Sequence, residues 1–147
     1  MTAALFLHVI SVVVWVGGMF LAYVCVRPAA VEVLEPPQRL RLWTGIFRRF
    51  FPWVWAAVVL ILLTGFHMLG QMGAMLPYVV AMTLIGIVMA AIFLHIFFAP
   101  FARLKRAVAA EDWKAGGAAL NQIRILVGIN LALGLINVAV AILGRGM

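Results

Sequence analysis

Acidic side chains are scarce in this sequence: four Asp and Glu stand against eleven Lys and Arg in 147 residues. All four, Glu32, Glu35, Glu111 and Asp112, fall outside the long apolar runs. Hydrolytic or phosphoryl-transfer chemistry needs carboxylates, a metal-binding helix or a phosphate-cradling loop. The chain has no His-Glu-x-x-His pattern and no Gly-rich loop after a strand, which argues against both reactions. No carboxylate lies within an apolar run to mark a cation path. Cys25 is the single cysteine, so an internal disulfide or a Cys-x-x-Cys thiolate site is excluded and the residue reads as inert packing. Charge of either sign is also rare, at 10% of residues against 67% apolar. A soluble domain is nearer half apolar and about a quarter charged.

What the chain has instead is long apolar runs. A helix needs about 20 apolar residues to cross roughly 30 Å of hydrocarbon. Four such runs, at about 3–26, 51–72, 77–98 and 123–143, use up the sequence and leave no room for an appended soluble domain. The predicted fold is therefore all-α, an integral membrane antiparallel four-helix bundle forming one domain over 1–147. The opening run reads as the first span and not as a cleavable leader, because no basic residue precedes it and it is too long for a leader's apolar region.

A net charge of +7 would suggest nucleic acid in a soluble protein. Here the basic residues sit between the apolar runs, so no nucleic-acid partner is expected and they serve as topology signals. Five fall in the first connection (Arg27, Arg39, Arg41, Arg48, Arg49), five between Arg103 and Arg124, and only Arg145 on the other side. Cytoplasmic loops accumulate Lys and Arg, so both termini are expected outside and both polar connections inside, in a bacterial-type cytoplasmic membrane. In the first connection Leu40, Leu42, Trp43, Ile46, Phe47 and Phe50 recur at near-helical spacing among charges, which predicts an amphipathic interfacial helix leading into the second span. Pro52 is expected in the first turn of that span, and residues 144–147 form a tail.

Histidines within spans are functional candidates by default, since burying an imidazole without a partner is costly. His8 and His67 each lie about five residues, or ~8 Å, from the outer ends of their spans, at matching depth on antiparallel neighbours. Imidazoles so placed are candidate axial ligands of one haem b near the outer face. Thr64, Thr83 and Asn137 lie at similar depth and are candidates to orient an imidazole or bond a propionate. Gly17, Gly18, Gly65 and Gly86 either admit a macrocycle or serve helix packing. Asn130, seven before Asn137 on the same face, reads as an inter-helix hydrogen bond. His95 lies near the opposite end, where with Arg124 it makes a possible inner site for a quinol head group, a propionate or a lipid phosphate.

The run HMLGQMGAMLPYVVAM places Met68, Met72, Met75 and Met82 after His67. Thioether sulfur with imidazole suits Cu(I), and the alternative site is copper held by His67, Met68 and Met72, with His8 nearby. Apolar packing also accounts for these methionines.

The opening LHVISVVVWVGGMF, the Thr-Gly of LLTGFHML and the closing RILVGINLALGLINVAVAIL resemble the CopD-like membrane proteins, and more distantly the four-helix protoporphyrinogen oxidase HemJ. The CopD resemblance implies copper resistance or uptake, with a periplasmic copper-binding partner. The HemJ likeness implies haem b, with His8 matching that family's first-span histidine. Its third-span lysine has no counterpart here, since Lys105 follows Pro100.

Three functions follow. The main expectation is a haem b protein of oxidoreductase type, carrying electrons between a quinol or other donor and a redox partner. The alternative is Cu(I) transport or resistance, and the third is a structural subunit without cofactor. A homodimer through small-residue faces is expected in each case.

Overall fold

The computed structural model describes residues 2–146, so Met147 of the expected tail lies outside the described residues. No strand occurs among them, and they form four helical rods long and apolar enough to cross a membrane. The protein is a multi-pass membrane protein built as an antiparallel four-helix bundle.

The first rod is α1 (Thr2–Phe20), a π-helical turn (Leu21–Val26) and α2 (Arg27–Val33). The π turn has a local cause. Pro28 has no N–H to give the carbonyl four residues back, so the ladder loosens and the N–H of Arg27 reaches the carbonyl of Ala22. The second rod is α3 (Pro36–Gln71), opened by a capping box in which Glu35 and Gln38 each satisfy the other's backbone N–H. The third is α4 (Pro77–Phe98) continued by α5 (Pro100–Ala109), and the fourth is α6 (Trp113–Arg145). Between α5 and α6 the chain reverses at Glu111, whose φ of 55° is left-handed. There the N–H of Asp112 bonds the carbonyl of Ala107 and that of Glu111 the carbonyl of Val108.

Residues 36–50, expected as an interfacial helix, are instead the first half of α3 and run without a break into the span. Their apolar face does not lie on lipid: Leu40, Trp43, Thr44 and Phe47 are buried in the bundle. The stripe that would dock on a membrane docks on protein because α5 and α6 offer it a partner surface. Pro52 falls inside this helix with its ring on the exposed face. Lys105 stands on α5 with its ammonium 4.6 Å from the centre of the Phe101 ring.

The rods pack as two close pairs, α1 on α3 and α4–α5 on α6, joined by contacts of α1 with α6 and of α3 with α5. The half of the bundle nearer the basic connections is filled by aromatics. Phe47 stacks on Phe51 at 4.9 Å between ring centres, and Phe51 meets Phe93 and Phe101 edge-on at 5.5 and 4.9 Å. Trp15 closes the cluster against Phe93. Between α4 and α6 the seam carries two polar rungs. Asn130 donates to the carbonyl of Met89 at 3.1 Å and Asn137 to that of Met82 at 3.3 Å. The equal seven-residue spacing on both antiparallel helices makes the rungs repeat.

The rung at Asn130 is expected to contribute little stability despite its burial. The Met89 carbonyl sits within α4, where the helix ladder also supplies it a donor, so removing Asn130 does not orphan it. Asn130→Leu should cost about 1 kcal/mol in a mixed-micelle unfolding titration. A loss of about 3 kcal/mol or more would show that the amide holds more than this seam.

Candidate functional site

His8 lies half-buried on the face of α1 that meets α3. Its Nδ1 is 3.0 Å from the Thr64 hydroxyl oxygen. That hydroxyl has one proton, and it donates it to the Leu60 carbonyl in the turn before. Assigning the hydroxyl proton to that carbonyl makes the oxygen an acceptor toward His8, with the imidazole proton on Nδ1 and the lone pair on Nε2. This is the form of histidine that binds a metal, with the second nitrogen anchored by a neighbour. Gly65 lies beside the ring: a side chain there would begin in van der Waals contact, 3.4 Å from Cε1 of His8.

His67 is placed differently. Three residues beyond Thr64, it lies exposed with its Nε2 3.3 Å from the Gln71 amide nitrogen. The structure thus brings His8 together with Thr64, and His67 with Gln71. Met68 follows Thr64 by four residues on one face of α3, and Met72 lies just past the end of that helix in extended backbone; both methionines are half-buried. Thr83 turns its hydroxyl back to the Val79 carbonyl of its own helix. Asn137 holds the seam to Met82. Of the four glycines, Gly18 gives room to the ring of Phe50 and Gly65 lies beside His8, while Gly17 and Gly86 face open space. Among the described residues no three His, Cys, Asp or Glu side chains gather as a metal site, so a metal at this end would need the thioethers as well.

At the other end His95 is exposed in the last turn of α4, and the guanidinium of Arg124 grips Asn121 Oδ1 at 2.7 and 3.2 Å. Arg124 also lines a cavity of about 400 Å³ formed by α2, α3, α6 and the π turn. Arg27 and Arg39 line it too, with Tyr23, Trp43 and Trp113 in its walls. Along α3, Arg39 and Thr64 are twenty-five residues apart, or ~38 Å of helix, so the histidine site and this cavity occupy opposite ends of the bundle.

A family model described as copper resistance protein D matches residues 44–143, more than half of the chain. The chain belongs to the CopD family. Neither the curated proteins nor the solved structures yielded a match. The segment matched to CopD contains Thr64, His67, Met68, Met72 and both seam asparagines, while His8, Arg27 and Arg39 precede it. In this CopD chain the convergence of three arginines on one cavity is what sequence reasoning missed. Basic residues counted for topology concealed it, although Tyr23 four before Arg27 and Trp43 four after Arg39 mark helix faces that pair a guanidinium with an aromatic ring.

Proposed function

We propose that this CopD-family protein handles copper, binding Cu(I) as cargo at the end of the bundle away from its basic connections and feeding it toward the membrane interior. The observation that carries this reading is the His8–Thr64 hydrogen bond, which leaves an imidazole lone pair free at a half-buried position. Met68 lies on the same stripe of α3 as Thr64 and Met72 caps the end of that helix, and soft thioethers beside a neutral imidazole suit Cu(I). His67 stands at the rim, exposed, where it can hand cargo inward. Met82 and Met89, seven apart on α4, continue the soft donors to a buried depth. By the distribution of Lys and Arg the histidine end faces out and the polar connections face the cytoplasm, so cargo arrives from the periplasmic side, where a copper-binding partner would deliver it.

The haem b expectation draws no support from the family match. In the structure the two imidazoles have separate partners, Thr64 and Gln71, and pairing them across one iron would take His67 from its exposed position.

The test is a Cu(I) titration of the detergent-purified protein against a chromophoric Cu(I) chelator. The wild-type chain should compete for the ion, and the double replacement Met68→Leu and Met72→Leu should weaken binding about tenfold or more while leaving the unfolding midpoint in place. Unchanged affinity would remove the methionines from the site. An intense Soret band with sharp reduced α and β bands in the same preparation would replace copper by haem b.

A further inference from the structure

The cavity at the basic end has a charge balance that demands an occupant. Arg27, Arg39 and Arg124 converge on it, and its lining includes no Asp or Glu. Among the described residues there is one ion pair, Arg41 with Glu111 at 3.8 Å; both partners are exposed, and Arg41 lies over the Trp113 ring at 5.0 Å without lining the cavity itself. Arg27 and Arg39 each bury their Nε without a hydrogen-bond partner. Arg124 meets only the neutral Asn121. Buried guanidinium N–H groups with no acceptor are costly, and three like charges around about 400 Å³ repel one another. An anion relieves both penalties.

The walls narrow its identity. A simple hydrated ion would not need Tyr23, Trp43 and Trp113, which make most of the surface around the guanidiniums apolar. One end of the occupant must be anionic and forked to match arginine, and the rest must be apolar. The position agrees, because this is where the rods leave their apolar stretches and carry most of their basic residues, the depth at which lipid headgroups sit. The backbone is shaped for it as well. The π turn at Leu21–Val26 swings Tyr23 against α6, where Gly128 leaves room: a side chain there would begin 2.9 Å from the Tyr23 ring. Arg27 then lies over that ring at 4.9 Å, held over the cavity by a cation–π contact.

We propose that this cavity binds the phosphate of an anionic phospholipid, gripped by Arg27, Arg39 and Arg124, with the lipid's apolar body against Tyr23, Trp43 and Trp113. The site is independent of the copper reading and lies at the opposite end of the bundle.

The test uses the fluorescence of Trp43 and Trp113 in a full chain whose other tryptophans are replaced (Trp15→Phe, Trp53→Phe, Trp55→Phe), reconstituted in nanodiscs of phosphatidylcholine with small additions of brominated phosphatidylglycerol, brominated phosphatidylcholine or inorganic phosphate. The brominated anionic lipid should quench at a mole fraction at least about tenfold lower than its zwitterionic counterpart. Each of Arg27→Gln, Arg39→Gln and Arg124→Gln should reduce that preference about fivefold, and the three together should abolish it. The exposed pair Arg48→Gln and Arg49→Gln removes charge from the same end outside the cavity, and should change it less than about threefold. Arg39→Lys, which keeps the charge and loses the fork, should fall between wild type and Arg39→Gln and guards against misfolding of the triple variant. Equal quenching by both lipids, or equal loss in the Arg48 and Arg49 variant, would overturn the proposal. So would protection from quenching by millimolar inorganic phosphate with no lipid preference, which would assign the site to free phosphate.

Discussion

His8→Ala will lower the affinity for Cu(I) roughly a hundredfold or more, since loss of a mere supporting group around a metal already costs tenfold to a hundredfold. The fold should survive the change. Thr64 loses one partner but keeps its bond to the Leu60 carbonyl, and the alanine leaves a half-buried gap at one end of the contact between α1 and α3. The more discriminating variant is Thr64→Val. It preserves shape and removes the oxygen that holds the proton on Nδ1, so the ring is freed to rotate and to exchange tautomers. Binding should weaken about ten- to a hundredfold with His8 intact. Thr64→Ser, which keeps the acceptor, should restore most of it. His67→Ala should have the smaller effect of the two histidine changes, because that ring lies exposed on Gln71. If Thr64→Val and Thr64→Ser bind alike, the hydroxyl does not prepare the ligand and the assignment of Nε2 as the donor is wrong.

The largest stability loss is expected from Gly134→Leu. Gly134 is buried on α6, and a side chain there would begin 2.9 Å from Cγ2 of Val16 and 3.2 Å from Cε of Met89. Val16 is β-branched and has little freedom to turn aside within α1. Inserting four carbons must therefore spread α6 from both α1 and α4, and with α4 goes the geometry of the asparagine rungs on either side of the glycine. Overpacking of this kind costs about 1–3 kcal/mol, with the lost rung contacts added, and in a membrane the helices gain nothing from water exclusion to offset it. Gly86→Leu is the matched control. No atom lies within 4 Å of a Cβ placed there, and leucine favours a helix over glycine, so stability should not fall. Equal losses at the two positions would mean that the close approach at Gly134 does not set the cost, since leucine favours a helix over glycine at both.

Depth along each helix was legible in the sequence, whereas direction around it was only partly so. Four apolar runs separated by charge define spans whatever the loops do, and a fixed rise per residue put His8 and Thr64 level with one another. Which neighbour an imidazole faces depends on helix rotation, which the runs do not encode, and so His8 and His67 looked equivalent although one is held in the seam and the other exposed. Residues 36–50 misled for a related reason. Leu40, Trp43 and Phe47 make the same stripe whether they meet lipid or protein, and the surface that covers them comes from chain more than fifty residues later. The arginines misled because a rule that counts charges discards where each one points.

The four rods are 32, 36, 33 and 33 residues long, or about 48–54 Å at the usual helical rise, well beyond the hydrocarbon they cross. The second and fourth continue as single α-helices past the point where their apolar stretches end. At the basic end a bundle built this way cannot answer a thicker or thinner bilayer by fraying, because Leu40, Trp43, Leu104 and Ala119 pack those helix ends on one another. It must tilt as a unit, at a cost of fractions of a kcal/mol per ångström of mismatch. Hydrophobic thickness therefore acts on the whole protein through a single angle, and lipids of different chain length should rotate both ends of the bundle together.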